Sequence, residues 1–278
     1  MGYPVGMESR GAVDAGRLRR LGLAVRGVRE GRPAVGDATE GASEVLELVE
    51  EPFETVEGTE RRLADLLETF DVLEDPRGSF LTVYSAVTVA VGERVDRGEF
   101  EDPDWVADYL VAFANLYREA VRDFEAGDLE SLADPWQIAF EAAERDDCHV
   151  LQHVALGINA HINYDLALAL DRVGIDPDRT AKRADHAAVT EVLRRLVDPN
   201  QEALAEKYDP GIAALDESLG RLDELFSILA IDECRDGAWR TAVALESSLP
   251  VRRRFAMWVM RATSTGAAYL VLNAPTGD

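Results

Sequence analysis

From about residue 40 onwards, apolar residues recur at helical spacing along nearly the whole chain, and this periodicity limits the fold more than any other feature. In Thr55–Leu73, for example, Leu63, Leu66, Leu67 and Phe70 stand at positions i, i+3, i+4 and i+7 and share one helix face. Strands do not alternate with helices, and neither a Gly-rich phosphate loop nor an internal repeat is visible. The pattern therefore predicts an all-α fold.

Proline, glycine and aspartate interrupt this pattern and predict where the helices begin and end. We expect eight helices in this part of the chain. They are Thr55–Leu73, Phe80–Arg97, one from Asp102-Pro103 to about Ala126, one from Asp134-Pro135 into the segment with His149, His153 and His161, Thr180–Val197, one from Pro210 to about Ala230, Asp236–Ser247, and one from Pro250 to just before Asn273. Residues 39–278 are predicted to be a single-domain helical bundle.

The N-terminal segment has a different composition. Residues 1–35 contain seven arginines and three acidic residues, a local charge of +4 in a chain of −24. They also hold many glycines and little regular apolar pattern. We expect residues 1–38 to be a flexible, Arg-rich arm.

The charge balance is extreme, with 29 basic and 53 acidic residues, and only Lys182 and Lys207 are lysines. Such an acidic, lysine-poor composition resembles that of proteins from salt-in halophiles, above all haloarchaea. A net charge of this size repels itself at low ionic strength and is screened at molar salt. We interpret it as an adaptation to the solvent, and it argues against nucleic acid as a partner because phosphate binding needs a basic surface.

The apolar runs and the number of cysteines limit where in the cell the protein is expected. No run approaches the roughly 18–20 apolar residues that a membrane helix needs, so no membrane span is expected. The N-terminus lacks the apolar core of a secretory signal, and two cysteines are too few for a disulfide framework. A cytoplasmic location is the simplest expectation.

All four histidines, His149, His153, His161 and His186, fall within 38 residues. Three of them share one otherwise apolar segment with asparagines and aspartates. Burying such polar groups costs free energy unless they are paired or bind something. The segment is therefore predicted to be a buried, polar-lined central helix and the best candidate for a site.

If Cys148–Asp171 is one α-helix, its polar groups fall on two sides. A ridge of four-residue steps contains His149, His153, Gly157, His161 and Asp165. The ridge drifts about 160° over its length, so its ends share one ligand only if the helix bends, and Gly157 is a candidate for that bend. Asn159 and Asn163 form a separate i, i+4 pair on the far side.

One interpretation of this segment is a metal site. His153, His161 and Asp165 would supply two imidazoles and a carboxylate, a set that suits zinc with an open position or non-haem iron. His149 and His186 are further candidate ligands. The cofactor would then be Zn or Fe.

A second interpretation needs no metal: His161 or His153 acts as a general base, and Asp165 orients the imidazole. Neighbouring side chains would hold a small-molecule substrate, namely Asn159, Asn163 and Tyr164. The third interpretation is a satisfied polar network that locks a buried helix and binds nothing. The predicted function is thus that of an enzyme acting on a small molecule, which includes the case of a metal-dependent hydrolase or oxygenase. The alternative is a non-catalytic binding or structural protein.

The run Gly157–Leu166, GINAHINYDL, resembles the central motif of an uncharacterised family of bacteria and haloarchaea, a helix reading roughly N-A-H-I-N-x-D-L. The flanks that are also similar are Phe80–Tyr84 with Thr88, Ala112–Tyr117, Trp136–Phe140, Asp185, Arg235 and Ala238-Trp239. His186 departs from the pattern, which has an aromatic residue there, and this lowers its value as a ligand. The resemblance covers about residues 45–270 and implies a fold but no activity. It indicates that the residues to test ahead of His149 are Asn159, His161, Asn163 and Asp165.

Overall fold

A computed structural model of the chain describes residues 15–33, 41–145, 148–208 and 231–274. Within these ranges the backbone is mostly helical and has no strand, which confirms the all-α prediction. The helices are α1 (Ala15–Glu30), α2 (Ser43–Val49), α3 (Val56–Val72), α4 (Arg77–Asp96), α5 (Pro103–Glu125), α6 (Asp134–Ala143), α7 (Val150–Ile158), a π-helix π1 (Asn159–Asp165), α8 (Leu166–Val173), α9 (Arg179–Arg195), α10 (Val197–Lys207), α11 (Ile231–Leu245) and α12 (Pro250–Leu272). The helix expected from Pro210 to about Ala230 lies outside the described residues. None of the described helices is long and apolar enough to pass through a bilayer.

The two Asp-Pro helix starts behave differently. Asp102 caps α5 as expected, since its Oδ1 accepts a hydrogen bond from the Trp105 N–H at 3.1 Å and Pro103 is the first helical residue. Asp134 instead lies inside α6, and its carboxylate pairs with Arg261 of α12, with an Nε–Oδ2 distance of 2.7 Å. This aspartate therefore joins two helices and does not serve as an N-cap. The helix it opens ends at residue 143, short of the histidine segment.

The centre of the molecule is one continuous helical segment, α7–π1–α8. Every residue of Leu151–Ile158 is buried, and α4, α5, α6, α11 and α12 pack around the segment. The surrounding side chains form one hydrophobic cluster that extends from α2 to α12. The expected buried central helix is therefore present, but it is not purely α-helical.

Gly157 lets another helix approach this central segment closely. A Cβ atom at Gly157 would lie 2.3 Å from Cγ of Phe80, which is far inside van der Waals contact. The Phe80 ring of α4 therefore occupies the space that a side chain would need. The departure from α-helical geometry begins two residues later, at Asn159.

The N-terminal segment is not an arm where the structure describes it. Helix α1 packs along α12, and glycines on both helices allow backbone contact. A Cβ on Gly27 would lie 1.9 Å from the Ala262 carbonyl oxygen, and one on Gly266 would lie 1.9 Å from that of Leu23. The expectation of a flexible segment thus differs from the structure within α1, because small residues at the contact were not recognised as a packing signal. The domain boundary near residue 38 stays a prediction.

Candidate functional site

The histidine motif lies on a π-helix, a geometry that the sequence analysis did not expect. Residues Asn159–Asp165 form π1, and the Leu166 N–H donates to the carbonyl of His161, five residues earlier. Such segments are rare and are frequent at functional sites. The wider turn also means that directions calculated at 100° per residue do not hold here.

The π-helix brings His161 and Asp165 together, as the sequence predicted. Nδ1 of His161 lies 3.0 Å from Oδ2 of Asp165, and the same oxygen accepts a hydrogen bond of 2.8 Å from Nε1 of Trp136. With the indole N–H already donating to this oxygen, the simplest assignment is that His161 donates to it through a protonated Nδ1. Nε2 of His161 then carries a lone pair.

Aromatic rings enclose the His161 imidazole. Phe113 stacks on it with ring centroids 3.5 Å apart and ring planes 10° apart, and Tyr84 meets it edge-on at 4.5 Å. Three more rings have centroids 5.9 to 6.1 Å away, those of Phe80, Trp136 and Tyr117. Within this enclosure Nε2 of His161 is buried and has no hydrogen-bond partner among the described residues. A native protein rarely leaves a buried nitrogen unsatisfied without a reason.

Burial controls the protonation of both members of the pair. It lowers the pKa of His161 well below its ordinary value, because the surroundings solvate the imidazolium poorly. It also raises the pKa of Asp165 well above its ordinary value, against the opposing effect of the Trp136 hydrogen bond. His161 is therefore neutral at pH 7, and in the Nδ1–H tautomer assigned above its Nε2 carries the acceptor lone pair.

His161 forms part of the wall of a cavity of about 280 Å³. Of the 22 lining residues that the structure describes, fifteen are aliphatic or phenylalanine: Phe80, Val83, Val87, Val91, Val106, Leu110, Phe113, Val154, Ile158, Ile162, Val189, Leu193, Val197, Leu204 and Ile231. The other seven are Tyr84, Thr88, Tyr109, His161, Asn200, Gln201 and Arg235. A mostly apolar cavity with a few polar groups is typical of a small-molecule site.

The structure does not assemble the predicted metal ligands. His153 contacts a different, much smaller pocket together with Trp136 and Gly157, and it is absent from the lining of the large cavity. Eight residues separate it from His161, about 12 Å of helix rise, and the Phe80 ring packs on Gly157 between them. No three His, Cys, Asp or Glu side chains in the described ranges are grouped closely enough to hold a metal ion.

His149 lies at a helix terminus, not on a helix face. Its Nδ1 accepts a hydrogen bond from the Leu151 N–H at 3.2 Å, and its own N–H donates to Oε1 of Gln152 at 3.0 Å, which forms a capping box. The expectation that His149 and His153 share one face is therefore wrong, because the helix begins after His149. The geometry gives His149 a structural role.

His186 has partners for both ring nitrogens. Nε2 lies 3.2 Å from the Arg235 carbonyl oxygen, so it must carry the proton, and Nδ1 lies 3.2 Å from the Tyr109 hydroxyl. Burial lowers its pKa well below the ordinary value, and the charge of Arg235 lowers it further. His186 is thus a neutral, engaged side chain and does not present a nitrogen to a metal.

The predicted substrate-binding residues lie away from the cavity. Asn159 donates through Nδ2 to the Ser264 carbonyl oxygen at 2.9 Å and accepts from Asn163 Nδ2 at 2.9 Å. The pair therefore lies on the far side of the helix, as expected, but it is engaged with α12 and with itself. Tyr164 is also absent from the cavity lining.

Three residues of the site carry roles that sequence reasoning did not assign: Phe113, Trp136 and Arg235. A signal for Phe113 existed, since Trp105, Tyr109, Phe113 and Tyr117 follow each other at steps of four along α5. Aromatic residues at this spacing form one face. The sequence did not show that this face would contact a histidine.

Together these features define an all-α protein with a buried His–Asp pair, fixed by an indole, beside an apolar cavity. The chain belongs to the family of unknown function DUF5995, whose model matches residues 56–274, and this confirms the expected membership of an uncharacterised family. No curated protein and no solved structure matches the chain.

Proposed function

We propose that this protein binds an apolar small molecule in the cavity beside His161, and that His161 acts on it as a general base. The observation that carries the proposal is the unsatisfied, buried Nε2 of a histidine on the wall of an apolar cavity. A ligand with one O–H group would satisfy this nitrogen, while its apolar body would fill the rest of the space.

The arrangement around His161 supports base chemistry as well as binding. A base needs a lone pair at the substrate and stabilisation of the proton it takes up. Oδ2 of Asp165 lies 3.0 Å from Nδ1 of His161 and accepts its hydrogen bond. The imidazolium formed by proton transfer to Nε2 would therefore lie against a carboxyl group. Trp136 and Phe113 fix the carboxyl group and the ring plane.

The alternative of a satisfied structural network fits other residues better than His161. His149 caps a helix, His186 has two partners, and Asn159 bonds to α12. Those contacts complete the hydrogen bonding of a buried helix. His161 differs from them because one of its nitrogens has no described partner.

A binding measurement tests the first half of the proposal. Isothermal titration with 1-decanol at molar KCl, which screens the net charge of −24, should give saturable one-to-one binding. Val87→Trp places a large ring in the cavity and should abolish binding. Val89→Trp lies on the same helix at a position 41% exposed and absent from the cavity lining, and it should bind normally. Equal binding by both variants would reject the cavity as the site.

A rate measurement tests the second half. Hydrolysis of p-nitrophenyl decanoate reports on a base that removes a proton from attacking water while nitrophenolate leaves. The wild type should show saturable hydrolysis that is lost in His161→Gln and in Val87→Trp but kept in Val89→Trp. Unchanged hydrolysis in a folded His161→Gln variant would reject His161 as the base. Binding of decanol with no hydrolysis would favour the second candidate, a carrier that does no chemistry, which the apolar wall also supports.

A further inference from the structure

Arg235 is a buried cation on the wall of the same cavity. It is 3% exposed and is the one charged side chain among the described lining residues. Its Nε donates to Oγ1 of Thr190 at 2.9 Å, and its Nη2 donates to the His186 carbonyl oxygen at 3.1 Å. All of these partners are neutral.

No carboxylate balances this charge within the described residues. None lies within 4.0 Å of the Arg235 guanidinium, and the charge of Asp232, which raises its pKa, acts from beyond that distance. Arg77, whose side chain is 10% exposed, instead has two carboxylates, with 2.5 Å to Asp75 and 2.6 Å to Glu125. Buried charges in proteins are normally paired, and a guanidinium does not escape the cost by losing its proton.

We infer that the ligand of this cavity is a monocarboxylate with an apolar body, whose carboxylate binds Arg235. This inference rests on the proposed function, because it identifies the class of molecule that the cavity takes. A planar guanidinium suits a carboxylate. One cation on an otherwise apolar wall would neutralise a monoanion but would leave a phosphate dianion with excess charge.

The position of Arg235 relative to His161 allows one molecule to reach both. Tyr109 and Arg235 both contact Nδ1 of His186, at 3.2 Å from the hydroxyl and 3.4 Å from Nη2, while Phe113 stacks on His161. Tyr109 and Phe113 are one turn apart on α5, about 6 Å along the axis. A carboxylate at Arg235 would therefore place the nearby atoms of the same ligand beside His161.

The test compares a carboxylate with its neutral alcohol on the full chain at molar KCl. Wild type should bind decanoate at least about tenfold more tightly than 1-decanol. The same comparison with the octyl and dodecyl acids and alcohols allows for a cavity that fits a shorter or longer chain. Arg235→Gln should lose this preference but keep decanol binding, Arg235→Lys should keep part of it, and His161→Gln should weaken decanol without removing the preference.

Each failure has a separate meaning. If wild type binds acid and alcohol equally, the carboxylate inference is rejected and the proposed function stands. If wild type binds neither, both are rejected. The wild-type comparison alone decides the question when Arg235→Gln does not fold, and a folded Arg235→Gln with an intact preference would reject Arg235 as the anion site.

Discussion

The imidazole of His161 lies almost flat against the ring of Phe113, with centroids 3.5 Å apart and planes 10° apart. Stacking fixes the plane of the imidazole, and the hydrogen bond to Asp165 fixes its rotation within that plane. Together the two contacts determine where Nε2 points. The direction of this lone pair is therefore a property of the fold and does not depend on a ligand being present.

The first prediction concerns the protonation of His161. Because Nδ1 donates to Asp165 and burial lowers the pKa, the ring should remain the neutral Nδ1–H tautomer across the pH range in which the protein is folded. Nitrogen-15 NMR shifts of labelled histidine, assigned with His161→Gln, measure this directly. A ring that titrates near its ordinary pKa of about 6.5, or one with the proton on Nε2, would contradict the assignment.

The second prediction concerns Asp165 as a shared acceptor. Asp165→Leu removes the acceptor of both Trp136 and His161, and each buried N–H left without a partner costs about 1–3 kcal/mol. The free energy of unfolding in urea should therefore fall by roughly 2–6 kcal/mol. Asp165→Asn is the matched control, since it keeps one oxygen in place, and it should cost about 1 kcal/mol. Equal losses in the two variants would show that acceptance by Oδ2 is not what stabilises the site.

The third prediction concerns the contact between Gly157 and Phe80. Gly157→Ala should destabilise the protein by about 1–3 kcal/mol, because the new Cβ would lie 2.3 Å from the ring. Phe80→Leu should relieve part of this cost, so a double-mutant cycle should give a clear coupling energy.

Gly22→Ala is the control for that cycle. Gly22 lies within α1, and a Cβ there would meet nothing within 4 Å, so alanine should stabilise the protein by about 0.5–1 kcal/mol. Additive effects of Gly157→Ala and Phe80→Leu would rule out the contact as the cause of the loss.

Local sequence rules predicted much of this fold and part of the site. The i, i+4 spacing of His161 and Asp165 was sufficient to pair them, since helical neighbours at that spacing meet even in a π-helix. Asn159 and Asn163 pair for the same reason.

What depends on contacts between distant segments was not predictable in this way. His153 shares a ridge with His161 in the sequence, but the Phe80 ring from another helix packs between them. Arg235 lies 74 residues after His161 in the numbering, and nothing local indicates that the two line one cavity. His149 does not lie on a helix face because the helix starts at Val150, two residues after the Cys148 start that the sequence analysis assumed.

The last prediction concerns pH and His186. Burial and the nearby Arg235 lower its pKa, so folded protein keeps it neutral while the unfolded chain binds a proton below about pH 6.5. Because the unfolded state then holds more protons, His186 makes the protein less stable as the pH falls through that value, by up to about 1.4 kcal/mol per pH unit. His186→Asn loses stability at pH 7.5 but lacks this pH-dependent penalty. The difference between its free energy of unfolding and that of the wild type should therefore narrow between about pH 6.5 and 5.5.

Urea unfolding at constant KCl measures this difference in the free energy of unfolding. The contributions of His161 and Asp165 cancel because both proteins contain these residues. Gly22→Ala, which changes no titratable group, should differ from wild type by the same amount at each pH. A constant difference for His186→Asn as well would mean that His186 takes up its proton at the same pH in the folded and the unfolded protein. That outcome is incompatible with the hydrogen bonds in which Nε2 donates to a carbonyl and Nδ1 accepts from Tyr109.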